Sequence, residues 1–218
     1  MGHILANRVS CGLGAGAWTR KRVARLSALL FAFALLGCHN TPPLDTTPLD
    51  NSGMSYDAVD QLKALNVTAA EVAQLAAARQ SGFSDDACLQ VFRMYRNRKE
   101  KFDAGDAIAG LLQAGMSEST VLKLAQLDQL GITAGELQAM RLAGLSDEII
   151  LEVAQHHAAG QPVLGGVSLA TLQNAGMRES TLLELVRHSV PDSQANAILA
   201  FRRHGANDKE ILRHFAGS

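Results

Sequence analysis

Aromatic side chains are scarce in this chain of 218 residues, where Phe, Trp and Tyr together make up 5%. Small contacts rich in Leu and Ala are therefore expected in its core. The hydrophobic fraction of 47% and the charged fraction of 19% exclude collagen-like and low-complexity chains. These values fit one globular domain with appendages.

Positive charge is also scarce outside the N-terminal region. The chain contains 20 Lys and Arg and 21 Asp and Glu, but five of the basic residues and none of the acids precede position 38. The remainder holds 15 basic residues against 21 acidic ones, a balance of −6. Nucleic-acid binding depends on clustered Lys and Arg, so no nucleic-acid partner is expected.

Sequence signatures of catalysis and of metal binding are absent. The chain contains no Gly-x-Ser-x-Gly elbow, no phosphate-binding loop and no His-Glu-x-x-His motif. Six histidines follow position 38, but none has a His partner four residues away, and no Asp, Glu or Cys completes a ligand set. We predict no enzymatic activity, no cofactor and no metal site, and we expect the histidines at the surface.

The N-terminal residues have the pattern of a secretory signal. Basic residues between Thr19 and Arg25 precede an apolar run of 12 residues from Leu26 to Gly37. As a helix this run would be about 18 Å long. A spanning helix must cross about 30 Å of hydrocarbon, so an export signal is the better interpretation.

The end of the apolar run, Leu35-Leu36-Gly37-Cys38, resembles the lipobox of bacterial lipoproteins. The resemblance implies a thioether-linked diacylglycerol on Cys38, cleavage between Gly37 and Cys38, and a fatty acid such as palmitate on the new amino terminus. The protein would then be anchored to a membrane of the bacterial cell envelope, facing the periplasm or the cell surface. His39 stands where Asp would favour the inner membrane, so the outer membrane is preferred. A plain secretory signal or an uncleaved short anchor is the alternative.

Composition divides the chain into three parts. Residues 1–37 are the predicted lipoprotein signal peptide, and residues 38–54 are a tether rich in Pro and Thr. Residues 55–218 are the predicted helical body, in which apolar residues recur at spacings of three and four with almost no β-type alternation. The predicted fold class is all-α.

Regular corners punctuate the helical body. A glycine is followed by an apolar residue and, in four of five cases, by Ser or Asn. Glycine ends one helix in the left-handed conformation, and Ser or Asn caps the next helix. The predicted corners are Gly82-Phe83-Ser84, Gly115-Met116-Ser117, Gly144-Leu145-Ser146, Gly176-Met177-Arg178 and Gly205-Ala206-Asn207.

The corners reveal a repeat. Successive corner glycines lie 33, 29, 32 and 29 residues apart, and alternate ones from Gly115 onward lie 61 apart. At this 61-residue offset, residues 114–124 and 175–185 share eight identities in eleven positions. The sequence thus predicts short helix pairs repeated about every 30 residues, stacked as a solenoid or as a compact bundle. The body itself resembles no named family.

The only dense basic run of the body interleaves with aromatic residues. It is a candidate contact for anionic lipid headgroups or an acidic polymer. The alternative interpretation is the C-terminal half of a helix, where cations complement the dipole. Its basic residues are Arg93, Arg96, Arg98, Lys99 and Lys101.

The corner at Gly115 also resembles the turn of a DNA-binding helix-turn-helix. The helix that would read the bases offers only one basic residue, Lys123, against Glu118 and Asp128. DNA binding is therefore a minor alternative.

Together these features predict a lipid-anchored helical repeat protein of the cell envelope. We expect a scaffold or adaptor that binds an envelope protein or peptide, without catalytic activity. The alternatives are a structural, self-associating envelope component, an unrecognised cell-wall enzyme and, as above, a DNA-binding protein.

Overall fold

Helices account for all the regular structure in residues 43–131 and 133–217, which are the residues that this computed structural model describes. This region contains no strand, so the predicted all-α class is confirmed. The predicted signal peptide, Cys38 and the N-terminal part of the tether lie outside the described residues. The helices are α1 (Thr47–Asn51), α2 (Tyr56–Ala64), α3 (Ala69–Gln80), α4 (Asp85–Arg98), α5 (Gly105–Gln113), α6 (Glu118–Gln126), α7 (Ala134–Leu142), α8 (Asp147–Ala158), α9 (Gly166–Asn174), α10 (Glu179–Arg187), a 3-10 turn (Asp192–Gln194), α11 (Ala195–Arg203) and α12 (Asp208–Phe215).

Each predicted corner lies between an odd-numbered helix and the even-numbered helix that follows it. Its glycine has a positive φ in all five cases, as predicted. The side chains of Ser84, Ser117, Ser146 and Asn207 each accept a hydrogen bond from a backbone N–H in the first turn of the next helix. Arg178 provides no side-chain cap, which agrees with its departure from the pattern.

A sixth corner, Gly53-Met54-Ser55, precedes the five that the sequence predicted. Gly53 has a φ of +80°, and Ser55 caps α2 by accepting from the N–H of Ala58. Leu49 of α1 is fully buried, and Leu44 packs against the same core. The helical domain therefore starts at Leu44, ten or so residues before the sequence-based boundary at residue 55. Pro48 had been counted as part of a tether, but proline is compatible with the first turn of a helix, and Pro48 occupies the first turn of α1.

The ends of the even-numbered helices also use the left-handed conformation, mostly without glycine. Four non-glycine residues have a positive φ: Asn66, Lys99, Asp128 and Ser189. At each of these ends, the next residue donates its N–H to a carbonyl five positions back, as Gln129 does to Leu124 at 2.9 Å. This bond is the mark of the Schellman motif. All of α1–α11 end with it, so the helices stop at regular intervals.

Packing joins helices that are neighbours or next-but-one neighbours in the chain. Odd-numbered helices pack on odd-numbered ones from α1 to α11, and even-numbered helices pack on even-numbered ones from α2 to α12. No extensive contact joins described helices that are further apart in sequence. The fold is therefore a two-layer solenoid rather than a compact bundle. One continuous apolar core runs between the layers from Leu49 to Ile211.

The positive φ at Lys99 generates a stability prediction. Lys99→Gly should raise the free energy of unfolding by about 0.5–1 kcal/mol, because glycine adopts the left-handed conformation without steric cost. The matched opposite change is Gly144→Ala at a φ of +90°, where an added Cβ meets no atom within 4 Å. It should cost about 1 kcal/mol through conformation alone. Urea unfolding of both variants checks the prediction, which fails if Lys99→Gly is destabilising.

Candidate functional site

A series of acidic side chains links each corner to the next repeat. The first residue of every even-numbered helix from α4 onward is an acid, and it accepts the backbone N–H of the capping residue at the preceding corner. We call this series the corner ladder. Its pairs are Ser55–Asp85 (3.0 Å), Ser84–Glu118 (2.7 Å), Ser117–Asp147 (3.1 Å), Ser146–Glu179 (2.8 Å) and Arg178–Asp208 (3.3 Å).

Hydroxyl groups strengthen three of these links. Ser84 Oγ donates to the second oxygen of Glu118 at 3.0 Å, and Thr120 and Thr181 donate to Asp147 and Asp208 at 2.8 and 2.9 Å. An acid in the first turn of a helix interacts favourably with the dipole of that helix. The structure adds a second role, because each acid also binds a backbone group of the preceding repeat.

Arginines join the corner ladder at every second corner. Arg79, Arg141 and Arg202 lie near the C-terminal ends of odd-numbered helices and pair with Asp85, Asp147 and Asp208 at 2.7, 3.6 and 2.9 Å. Each also donates to the carbonyl of the preceding corner glycine. Glu118 and Glu179 have no such arginine. This alternation accounts for the 61-residue double repeat in the sequence.

The last corner satisfies its own N–H group. Asn207 N–H donates to Glu210 of its own helix at 2.9 Å, and Glu210 N–H donates back to the Asn207 side chain at 3.0 Å. This capping box replaces the acid that a further repeat would supply. The ladder of the described residues therefore ends at α12.

Two of the ladder acids, Asp147 and Asp85, have pKa values that are shifted toward the charged form. Burial by itself would raise the pKa of Asp147, but hydrogen bonds from Thr120 and Ser117 and the charge of Arg141 outweigh it and lower the pKa. Burial would also raise the pKa of Asp85. The hydrogen bonds from Ser55 and the hydrogen bond and charge of Arg79 outweigh burial and lower this pKa. Both of these carboxylates are accordingly charged at neutral pH, and a charged acceptor binds an N–H group more strongly than a neutral one.

Glu71, an acid outside the corner ladder, binds Arg96 of the basic run. Glu71, with a side chain that is 2% exposed, accepts from both terminal nitrogens of Arg96 at 2.8 and 2.6 Å. It also accepts from the N–H groups of Phe102 and Thr68. Burial alone would raise the pKa of Glu71, yet these bonds hold it at about 2.

The other basic residues of the run differ in whether their side chains have hydrogen-bond partners within the protein. Arg98 binds Asp128 at 2.7 Å and the carbonyls of Ala125 and Gln126, and Arg93 donates to Gln61. Only Lys99 and Lys101 have no partner among the described residues. Arg96 and Arg98 therefore connect neighbouring repeats. The five basic residues do not form a continuous basic surface.

The two layers differ in the surface that they expose. We call the exposed residues of α3, α5, α7, α9 and α11 the odd face; among them, Asp106 and Arg203 are the only charged residues. The even-numbered helices expose many charged residues, including Asp57, Lys63, Arg93, Glu148 and Lys209. Three large apolar side chains are exposed on the odd face: Leu142 (68%), Val167 (83%) and Phe201 (36%).

Cysteine and histidine take structural positions. Cys88 is buried in the core, and burial raises the pKa of its thiol to about 12, so it is unreactive at neutral pH. His156 is buried as well, contrary to the expectation of surface histidines, and its Nδ1 lies 3.4 Å from the Ser189 hydroxyl. Within residues 43–131 and 133–217, no group of three or more His, Cys, Asp or Glu is arranged to hold a metal ion.

Comparison with known proteins gives no match for this chain. No family model matches the chain, and neither a curated protein nor a solved structure matches it. The described helices include none with the length and apolar character needed to span a membrane. Any functional conclusion therefore depends on the residues themselves.

The low pKa of Glu71 predicts how stability depends on pH. Because the folded pKa of about 2 lies below the value of about 4.3 expected in the unfolded chain, the contribution of Glu71 is complete above about pH 5 and is lost as the pH falls toward 2. Glu71→Gln should cost about 3 kcal/mol at pH 7, since it leaves Arg96 without its charged partner. It should also flatten the decline in stability between pH 5 and pH 2 that is seen in the parent.

Urea unfolding at several pH values measures both effects. Asp60→Asn is the control, because Asp60 forms only an exposed pair with Lys63 on the same helix. Equal pH slopes in the parent and in Glu71→Gln would contradict the assignment.

Proposed function

We propose that this protein is a lipid-anchored helical repeat scaffold of a bacterial cell envelope, and that its odd face binds another envelope protein or peptide. The single observation that carries the binding role is the scarcity of charged residues on the odd face combined with the exposure of Leu142, Val167 and Phe201. Depletion of charge and exposure of apolar side chains are typical of the centre of protein interfaces.

The groove between α9 and α11 supports this use of the odd face. It encloses a cavity of about 160 Å³ lined by residues that include Val167, Leu172 and Leu199. This volume is too small for a typical ligand pocket but suits an apolar side chain of a partner. Because each repeat of a solenoid contacts only its neighbours, the packing of neighbouring repeats on the shared core is enough to keep the groove in shape.

The anchoring half of the proposal is based on the lipobox resemblance at Leu35-Leu36-Gly37-Cys38. A lipidated Cys38 would place the scaffold at a membrane surface, and His39 favours the outer membrane. No catalytic activity is part of the proposal, because the chain carries no catalytic motif and the ladder acids are engaged with backbone N–H groups. A DNA-reading role for α6 is not part of the proposal, since residues 118–129 offer Lys123 as their one basic residue against Glu118 and Asp128.

One experiment tests anchoring and binding together. The full chain is expressed in a bacterium that processes lipoproteins, with a photo-crosslinking amino acid in place of Val167. Before irradiation, the intact mass of the membrane-extracted protein should lack residues 1–37 and carry added acyl mass. Cys38→Ala should show no acyl mass.

After irradiation, the Val167 position should give a discrete adduct with a different envelope protein. The matched control carries the crosslinker in place of Gln90, an exposed residue of α4 in the even-numbered layer, and should give no such adduct. Leu142→Ser should reduce the Val167 adduct. Adducts at twice the mass of the chain would instead support a self-associating component, and full-length protein without lipid would contradict the anchor.

A further inference from the structure

The last helix pair leaves exposed an apolar position that is buried in every other repeat. Four residues before the corner glycine, the five preceding odd-numbered helices carry an apolar side chain that is 0% or 1% exposed. Phe201 of α11 occupies this position in the last repeat and is 36% exposed. Its buried counterparts are Leu49, Ala78, Leu111, Met140 and Leu172. Among the described repeats only the last has no following helix pair, so the exposure of Phe201 marks the end of the stack.

The even-numbered layer ends in the same way. Nine residues after the corner glycine, five helices carry a fully buried Leu or Val, whereas α12 carries the exposed His214. The His214 ring stacks on Phe201 with the ring centroids 5.1 Å apart, and Phe215 packs edge-on against Phe201 at 5.9 Å. We call these three residues the C-terminal patch. The buried counterparts of His214 are Leu62, Val91, Leu124, Val153 and Leu185.

The first helix pair departs from the repeat at the opposite end of the solenoid. At the position of the ladder acid, α2 carries Tyr56, which is 82% exposed. Seven residues after the corner glycine it carries Asp60, where all five later even-numbered helices carry leucine. Terminal repeats of a solenoid need polar outer faces, which accounts for Asp60 but not for the exposed rings of Tyr56 and Phe201.

The two ends of the solenoid carry opposite charge. Residues 44–65 contain four acids and one lysine, a balance of −3. Residues 195–216 contain four basic residues and two acids, a balance of +2 with neutral histidines. Each end is therefore attracted to the other end of a second copy and repelled by its own counterpart.

Contacts inside the stack show which charged residues would meet. Residues eight positions after a corner glycine face the following even-numbered helix, as Gln61 of α2 does when it accepts from Arg93 of α4 at 2.7 Å. In α12 this position holds the exposed Arg213. The position equivalent to Arg93 in α2 is Ala64, and Asp60 lies one turn before it. A second copy stacked in the same register would therefore bring Asp60 close to Arg213.

Backbone hydrogen bonding at the two ends is also compatible with stacking. The N–H of Asn207 is already bound by Glu210, so the last corner needs no acid from a following repeat. Tyr56 stands where such an acid would lie and brings none. Contact between these ends leaves no corner N–H without an acceptor and no ladder acid without a donor.

From these observations we propose that the C-terminal patch of one copy binds the first helix pair of a second copy, so that copies of this chain stack head to tail. Because two different surfaces meet, the contact is heterologous and joins copies into a chain or a ring. The interface lies at the ends of the solenoid and leaves Leu142 and Val167 of the odd face exposed. It goes beyond the scaffold role and does not depend on the anchor.

Cysteine crosslinking of the full, detergent-purified protein with a short bismaleimide tests the proposal. A chain that carries both Ala64→Cys and Arg213→Cys should give dimers, trimers and larger products. Each single variant alone should match the parent, in which Cys88 is buried. A mixture of the two single variants should stop at the dimer, because each chain then has one reactive end.

Adding Tyr56→Ser to the double-cysteine chain should reduce the crosslinked fraction at least about fivefold, because it removes an aromatic side chain from the interface. The matched control is Val167→Ser, which removes an apolar side chain of equal exposure, 83%, from α9. It should leave the crosslinked fraction unchanged. The proposal is overturned if the double-cysteine chain stays monomeric, or if Tyr56→Ser has no more effect than Val167→Ser. Dimers of Arg213→Cys alone would also overturn it, because two C-terminal ends would then meet.

Discussion

A backbone N–H that points out of each corner must find an acceptor, and in this protein the acceptor comes from the next repeat. The first N–H groups of a helix have no partner within the helix, so a carboxylate placed there is bound strongly. At Ser84, two oxygens of Glu118 bind both the N–H and the hydroxyl. At five of the six corners an acid of the next repeat accepts the backbone N–H, which turns a requirement of each helix into a link between repeats.

This link also sets the spacing of the solenoid. An acid at the first position of an even-numbered helix reaches the preceding corner only if the two helices lie side by side in register. Arg79, Arg141 and Arg202 add a second contact at alternate corners, which makes the structural repeat two helix pairs long. Arg96 and Arg98 perform a related task at the opposite ends of the helices, where they bind carbonyls and acids of neighbouring repeats. Because these contacts lie at the helix ends, the odd face carries few charges, with Asp106 and Arg203 as its charged residues.

Local rules predicted much of this fold from the sequence. Glycine followed by an apolar residue marked five corners, four of them with Ser or Asn as the next residue, and the identities between residues 114–124 and 175–185 revealed the duplication. The corner at Gly53 was missed because the prolines before it suggested a tether, although its Gly-Met-Ser pattern matches the corner at Gly115. The left-handed ends at Asn66, Lys99, Asp128 and Ser189 were missed because no glycine marks them. Their spacing follows the same repeat and would have been the available signal.

Those local rules did not predict the contacts between repeats. The partners of the ladder acids in the preceding repeat lie about 30 residues away and are backbone groups, which a sequence does not distinguish. For the same reason Arg96 read as a surface cation, whereas it binds the buried Glu71.

Hydrogen exchange at the Ser55 amide tests most directly whether the corner ladder joins the repeats. Asp85 and Asp86 are adjacent acids in the first turn of α4, and only Asp85 reaches Ser55, at 3.0 Å. The account predicts that Asp85→Ala speeds exchange of the Ser55 amide at least about tenfold, since its hydrogen bond is lost, while Asp86→Ala leaves that amide as protected as in the parent. Equal exchange of the Ser55 amide in the two variants would contradict the account, because the acids would then act only on the dipole of their own helix.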